Sequence, residues 1–132
     1  MMMARQQGGF ATCVCARLSP DGALTVANAG HLVPYRNGEE MPMESGLPLG
    51  LAASADYSEI ALEITPGDVV TFLTDGVLEA RNPAGELFGF DRTACISTQS
   101  AENIAAAAKR FGQEDDITVL TLTFALAEVL RA

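Results

Sequence analysis

Apolar and polar positions alternate from Phe10 to Leu18, placing Phe10, Thr12, Val14, Ala16 and Leu18 on one face of a predicted strand. Ser19-Pro20-Asp21-Gly22 is turn chemistry: proline presets φ and glycine relieves the exit. Ala23 to Asn28 returns, so residues 10–28 read as a hairpin. Asn28-Ala29-Gly30 turns again, and His31 to Arg36 reads as a strand closed by Asn37-Gly38, a strong hairpin dipeptide. A loop follows over residues 39–56, carrying Gly46-Leu47-Pro48-Leu49-Gly50. Tyr57 to Ile64 alternates cleanly, and the local pattern assigns these strands to one half-exposed antiparallel sheet.

The pattern changes after Thr65-Pro66-Gly67-Asp68. Val69 to Thr74 is apolar almost throughout, as in a central strand covered on both faces, and it ends at Asp75-Gly76. Val77 to Arg81 predicts a short helical turn and Asp91 to Thr98 a helix. Ser100 to Phe111 predicts a further helix, with Ser100 as its cap, Glu102 in its first turn and Lys109 and Arg110 in its last. Gly112 stops it, and Ile104, Ala108 and Phe111, with Ala105 beside them, form its inner stripe. Ile117 to Phe124 predicts a final strand, and Leu126 to Ala132 a short terminal helix.

Composition narrows the class. A chain of 132 residues with 48% hydrophobic and 19% charged residues suits one globular domain or a large piece of one. No apolar run nears the ~18 residues that span a bilayer, and residues 1–9 lack the apolar core of a secretory signal. They read as a leader or disordered segment. The net charge of −9 and only 8 Lys and Arg argue against a nucleic-acid partner. Cys13, Cys15 and Cys95 are an odd set, and Cys13 and Cys15 are too close along one strand to pair well. All three are expected as buried, reduced thiols of a cytoplasmic protein.

Candidate chemistry sits at strand ends. Asp75 follows the C-terminal end of one buried strand, and Asp115-Asp116 precede the N-terminal end of another. If those strands pair antiparallel, the carboxylates share one rim of the sheet. Like charges so placed call for a cation between them, and oxygen-only ligation favours Mg²⁺ or Mn²⁺ over zinc. Glu79 lies four residues after Asp75, on the same side of a helical turn. The alternative is ordinary turn chemistry at both places. His31 is the only histidine, and a structural role stands beside a ligand role for it. There is no G-x-S-x-G elbow and no Walker loop.

Six segments occur in order: Asn28-Ala29-Gly30-His31, Gly46-Leu47-Pro48-Leu49-Gly50, Pro66-Gly67-Asp68, Thr74-Asp75-Gly76-Val77-Leu78-Glu79-Ala80, Gly85-Glu86-Leu87-Phe88-Gly89 and Asp115-Asp116-Ile117-Thr118. Together they resemble the SpoIIE/RsbU-type serine phosphatases, a bacterial branch of the metal-dependent PPM protein phosphatases. The resemblance implies an α+β fold, an α-β-β-α sandwich with antiparallel sheets, over residues 10–124, followed by a tail from residue 125. It implies a binuclear Mn²⁺ or Mg²⁺ site and a phosphorylated STAS-domain (anti-anti-sigma) protein as substrate. By motif, Asp75 matches the metal-bridging aspartate, with Gly76 beside it at the metal site. Asp115 matches the metal aspartate of D-D-x-T, and Asp116 takes the neighbouring position. Glu79 and His31 fall near an additional metal.

The same resemblance implies a G-G-D-x-x-D strand pair and helices ahead of the Phe10 strand, whereas Gly8-Gly9 here is followed by phenylalanine. The expectation is therefore a partial sandwich lacking its N-terminal strands and helices. Its open edges would favour a homodimer or higher oligomer. Three roles stay open: a metal-dependent phosphatase, a non-catalytic interaction module in sigma-factor partner switching, and a truncated product without an independent role.

Overall fold

A computed structural model describes residues 9–125, which form seven strands and three helices in two compact units. One unit comprises the described residues up to Val33 together with Pro42–Glu63. The other comprises Pro34–Met41 and the described residues from Ile64 onward. The predicted helix over Leu126 to Ala132 lies outside the described residues, as does most of the segment 1–9.

The first unit is a three-stranded antiparallel sheet in the order β1-β2-β5: β1 (Cys13–Leu18), β2 (Ala23–Ala29) and β5 (Glu59–Glu63). The predicted hairpin is present, with Leu18 opposite Leu24 and Cys13 opposite Ala29. The 19–22 turn closes through Gly22 N–H donating to Ser19 O at 2.9 Å. Leu24 and Val26 are buried, facing Leu62 and Ile60 across the ladder. Strand β1 starts three residues later than expected. Ala11 leaves β2 and exchanges two backbone hydrogen bonds with Leu49 of the Gly46–Gly50 loop, at 2.9 and 2.7 Å.

Among the described residues β1 has a neighbour on one side only, and it is poorly covered. Phe10 is 62% exposed and Leu18 37%. This corrects the expectation of buried cysteines: the three thiols are free, but Cys13 is half-buried and Cys15 and Cys95 are exposed. Cys13 and Cys15 lie opposite Ala29 and Ala27 across the ladder, side chains too small to shield a thiol.

The second unit holds a four-stranded antiparallel sheet in the order β4-β3-β6-β7: β3 (Tyr35–Arg36), β4 (Glu39–Glu40), β6 (Val69–Leu73) and β7 (Val119–Thr123). The Asn37-Gly38 turn joins β3 to β4, with both residues at positive φ as such a turn requires. Two expectations change here. The predicted His31–Arg36 strand shrinks to two residues because Pro34 has no N–H to give a ladder. Those two residues pair with β6, so the strands form two sheets where the local pattern suggested one.

Strand β6 is central, as its apolar run predicts, with Val70, Thr71 and Leu73 buried. Its entry turn is locked by Asp68, whose carboxylate accepts from Asn37 Nδ2 at 3.0 Å, Thr65 N at 2.8 Å and Arg36 Nη2 at 2.8 Å. Those partners hold the Asp68 carboxyl far below the usual aspartate range, the Asn37 bond contributing most.

Three helices complete the unit: α1 (Asp75–Leu78), α2 (Gly89–Ile96) and α3 (Ala101–Gly112). The turn expected at 77–81 begins two residues earlier, directly at the end of β6. Ser100 caps α3 as predicted, its Oγ accepting from Asn103 N at 3.1 Å. Ile104 and Ala108 are fully buried, and α3 packs on β7 and α1. Phe111 stands edge-on to Phe88 at 5.2 Å between centroids, with the Arg92 guanidinium 4.7 Å from the Phe111 ring. Arg92 Nη1 also donates to Leu87 O at 2.7 Å, so the Gly85–Gly89 segment serves as a lock between α2 and α3. Among the described residues no helix is long and apolar enough to cross a membrane.

Candidate metal centre

The register of β6 on β7 decides where the acids fall. Leu73 pairs with Val119, and the ladder continues past the named strands. Thr74 N donates to Thr118 O at 3.1 Å, and Thr118 N donates to Thr74 Oγ1 at 2.9 Å. Gly76 then lies against the Asp116 carbonyl: a β-carbon there would overlap that oxygen and stand 3.0 Å from its carbon. A glycine is therefore required for the two backbones to approach this closely.

The structure thus brings the Asp75-Gly76 corner and the Asp115-Asp116 corner to one end of one sheet. Asp75, Glu79, Asp115 and Asp116 are all exposed there. Asp75 opens α1, and Glu79 closes it with its N–H donating to Asp75 O at 2.9 Å. Asp116 N donates to Asp115 Oδ1 at 2.7 Å, which leaves the second Asp115 oxygen free of that bond. Behind this exposed rim Gly76, Val77, Leu78 and Ala80 are buried, so the acids stand on a packed base.

His31 belongs to the first unit. Its N–H donates to Asn28 Oδ1 at 2.8 Å, and Asn28 Nδ2 donates to His31 O at 3.0 Å. Its ring Nδ1 lies 3.0 Å from Leu32 O. The buried Asn28 side chain therefore forms the turn that presents His31, a role its place three residues before the histidine could have signalled. The same turn packs on the glycine-proline loop, with Gly30 N donating to Ser45 O at 2.5 Å.

The donor chemistry fits a hard divalent cation. The acids of the second unit offer carboxylate oxygens, with no thiolate or imidazole among them, and the Gly76 cradle brings their backbones into contact. In number the set is short: among the described residues no three His, Cys, Asp or Glu side chains gather into a group that could hold an ion.

Solved structures share this fold. The SiaA PP2C domain of Pseudomonas aeruginosa matches with a TM-score of 0.65 at 27% identity, covering 79% of this chain and 47% of that one. The phosphatase domain of the cell-fate determinant SpoIIE from Bacillus subtilis, presoaked with manganese, matches at 0.65 with 18% identity over 90% and 58%. A structure of RsbU and RsbW domains from Mycobacterium tuberculosis matches at 0.65 with 22% identity over 85% and 35%. The fold is thus that of a PPM-type phosphatase domain, of which this chain covers a part.

The family described as Stage II sporulation protein E (SpoIIE) matches residues 1–125. The chain belongs to that family. Protein IcfG of Synechocystis sp. is 33% identical over 76 residues, which make up 54% of this chain and 12% of that protein.

Proposed function

We propose that this chain contributes the Asp75 and Asp115–Asp116 half of a metal-dependent protein serine/threonine phosphatase site. The observation that carries the reading is the antiparallel β6–β7 register, which sets Gly76 on the Asp116 carbonyl and the flanking acids at one rim. Family membership supports the reaction class: hydrolysis of a phosphoserine or phosphothreonine monoester.

Asp75 and Asp115 would hold the ion through carboxylate oxygens, with Asp116 and Glu79 beside them and Gly76 supplying the close backbone approach. His31 is proposed near an additional ion. Mn²⁺ or Mg²⁺, when bound, supplies an acidified water and positive charge for the phosphoryl oxygens. The chain's own residues would hold the donors in place: α1 starts at Asp75, and the Asp116 N–H fixes one Asp115 oxygen. The substrate class we propose is a phosphorylated STAS-domain regulatory protein of the anti-anti-sigma type, in a cytoplasmic setting, with homodimers or higher oligomers formed through the open strand edges.

A second reading is favoured by one observation, the absence of a three-acid group among the described residues. In it the chain is a non-catalytic interaction module in sigma-factor partner switching. Mn²⁺-dependent hydrolysis of p-nitrophenyl phosphate, abolished by Asp75→Asn, is expected for the enzyme. No turnover together with binding to a phosphorylated STAS-domain protein supports the module. Turnover that Asp75→Asn leaves unchanged refutes the site.

A further inference from the structure

Residues 74–81 and 112–118 are fastened to each other at three points. The first two are the Thr74–Thr118 hydrogen bonds and the Gly76–Asp116 contact. The third lies at Arg81, outside the motifs on which the functional reading rests. Arg81 N donates to Gly112 O at 2.8 Å. Gly112 has a φ of +141°, and a β-carbon there would overlap the Arg81 carbonyl oxygen and stand 2.8 Å from its carbon. The Arg81 side chain adds two ties: Nη1 donates to Gly85 O at 2.8 Å, and Nε lies 3.8 Å from Glu114 Oε2.

The span from Gly112 to Asp116 is therefore pinned at both ends by glycine contacts that admit no side chain. Between the pins Gln113, Glu114 and Asp115 are exposed, and Gln113 Nε2 bridges to Asp115 O at 3.0 Å. An exposed span this short, held at both ends, has few conformations left, and that is the condition for aiming a carboxylate.

We infer that Arg81 and Gly112 form a clasp, through their backbones and the Arg81 side chain, that positions the Asp115–Asp116 segment beside Asp75. They act as positioning residues, through the segment that carries the aspartates. The inference rests on the proposed role of these aspartates as cation ligands, but its geometric half can be judged without that role.

The test measures amide hydrogen exchange over residues 113–117 and Mn²⁺ binding by calorimetry, on the full chain and three variants. Gly112→Ala breaks the clasp, Arg81→Ala removes only its side-chain ties, and Ala106→Gly weakens α3 away from it. Gly112→Ala is expected to speed exchange across 113–117 and to weaken Mn²⁺ binding by about tenfold, the scale of losing a residue that orients a ligand. Arg81→Ala is expected to do the same by a few-fold, and Ala106→Gly to lower the melting temperature without a selective change at 113–117. Unchanged exchange in both clasp variants overturns the inference, as does an equal change in Ala106→Gly. If the unaltered chain binds no Mn²⁺, the functional reading falls and exchange alone decides the clasp. If Gly112→Ala does not fold, the Arg81→Ala exchange comparison decides it.

Discussion

Replacing Gly76 with alanine sets two effects of opposite sign against each other. Gly76 lies in α1 at an ordinary helical φ, so alanine should favour the helix by up to about 1 kcal/mol. Against that, the new methyl group meets the Asp116 carbonyl, with its carbon at 3.0 Å and Ile117 Cγ1 at 3.1 Å. Carbonyl atoms cannot rotate aside as the tip of a flexible side chain can, so the β6–β7 end must open. Overpacking of this kind costs about 1–3 kcal/mol, and the backbone partner argues for the upper part of that range. The net expectation is a loss of about 2 kcal/mol. At roughly 3–5 °C per kcal/mol for a domain of this size, the melting temperature should fall by roughly 6–10 °C. Thermal unfolding followed by circular dichroism measures this, and Mn²⁺ calorimetry on the folded variant should show weakened binding. A Gly76→Ala protein as stable as its parent, with equal Mn²⁺ affinity, would mean that the two backbones do not meet as described.

Three further outcomes are expected. Ile104→Ala empties a site with no solvent exposure in the first turn of α3 and should cost about 2–5 kcal/mol in urea unfolding, whereas a loss under 1 kcal/mol would contradict its place in the core. Thr71→Val keeps the shape of the side chain but removes the hydroxyl that donates to Ser97 O at 2.6 Å, so a buried carbonyl loses that donor at about 1–3 kcal/mol; an unchanged urea midpoint would refute the bond. Asp68 has a folded-state pKa below its ordinary 3.8, so its contribution is complete above that pH and drains away as pH falls further. Asp68→Asn should therefore flatten the acid limb of stability against pH below about 4, and an acid limb identical to the parent's would exclude Asp68 as its source.

Local chemistry explains why some of this architecture was legible before any coordinates. The 19–22 and Asn37-Gly38 turns, the Ser100 cap and the apolar run of β6 are each written in a few adjacent residues, and each appears where the pattern put it. What failed was non-local. Pro34 is a local reason for the His31 to Arg36 strand to be cut short, but nothing in that stretch says that its last two residues belong with β6. Nothing in Phe10 to Leu18 says that the strand will lie at an edge with its alternate apolar positions uncovered. That Asp75 and Asp115–Asp116 fall at one end of one sheet was legible, because acids at strand ends are visible in one dimension. Arg81 and Gly112 were not, since a basic residue after a turn and a glycine after a helix each have an ordinary local explanation.

The rim that carries the acids is a consequence of register, and register is fixed well away from it. Carried three positions beyond Leu73 opposite Val119, the β6–β7 ladder sets Gly76 opposite Asp116, which is the contact observed. A slip of one residue would turn each β6 side chain to the other face. Thr71 would lose the Ser97 carbonyl, and the fully buried Val70 would exchange faces with it. It would also set the Asp116 carbonyl against a residue bearing a β-carbon, either Asp75 or Val77. The buried middle of β6 and the glycine at its exit thus select the same alignment by independent means. A protein that had only to bury β6 would not need the second constraint. Its presence at the acidic rim is the reason to look for chemistry there.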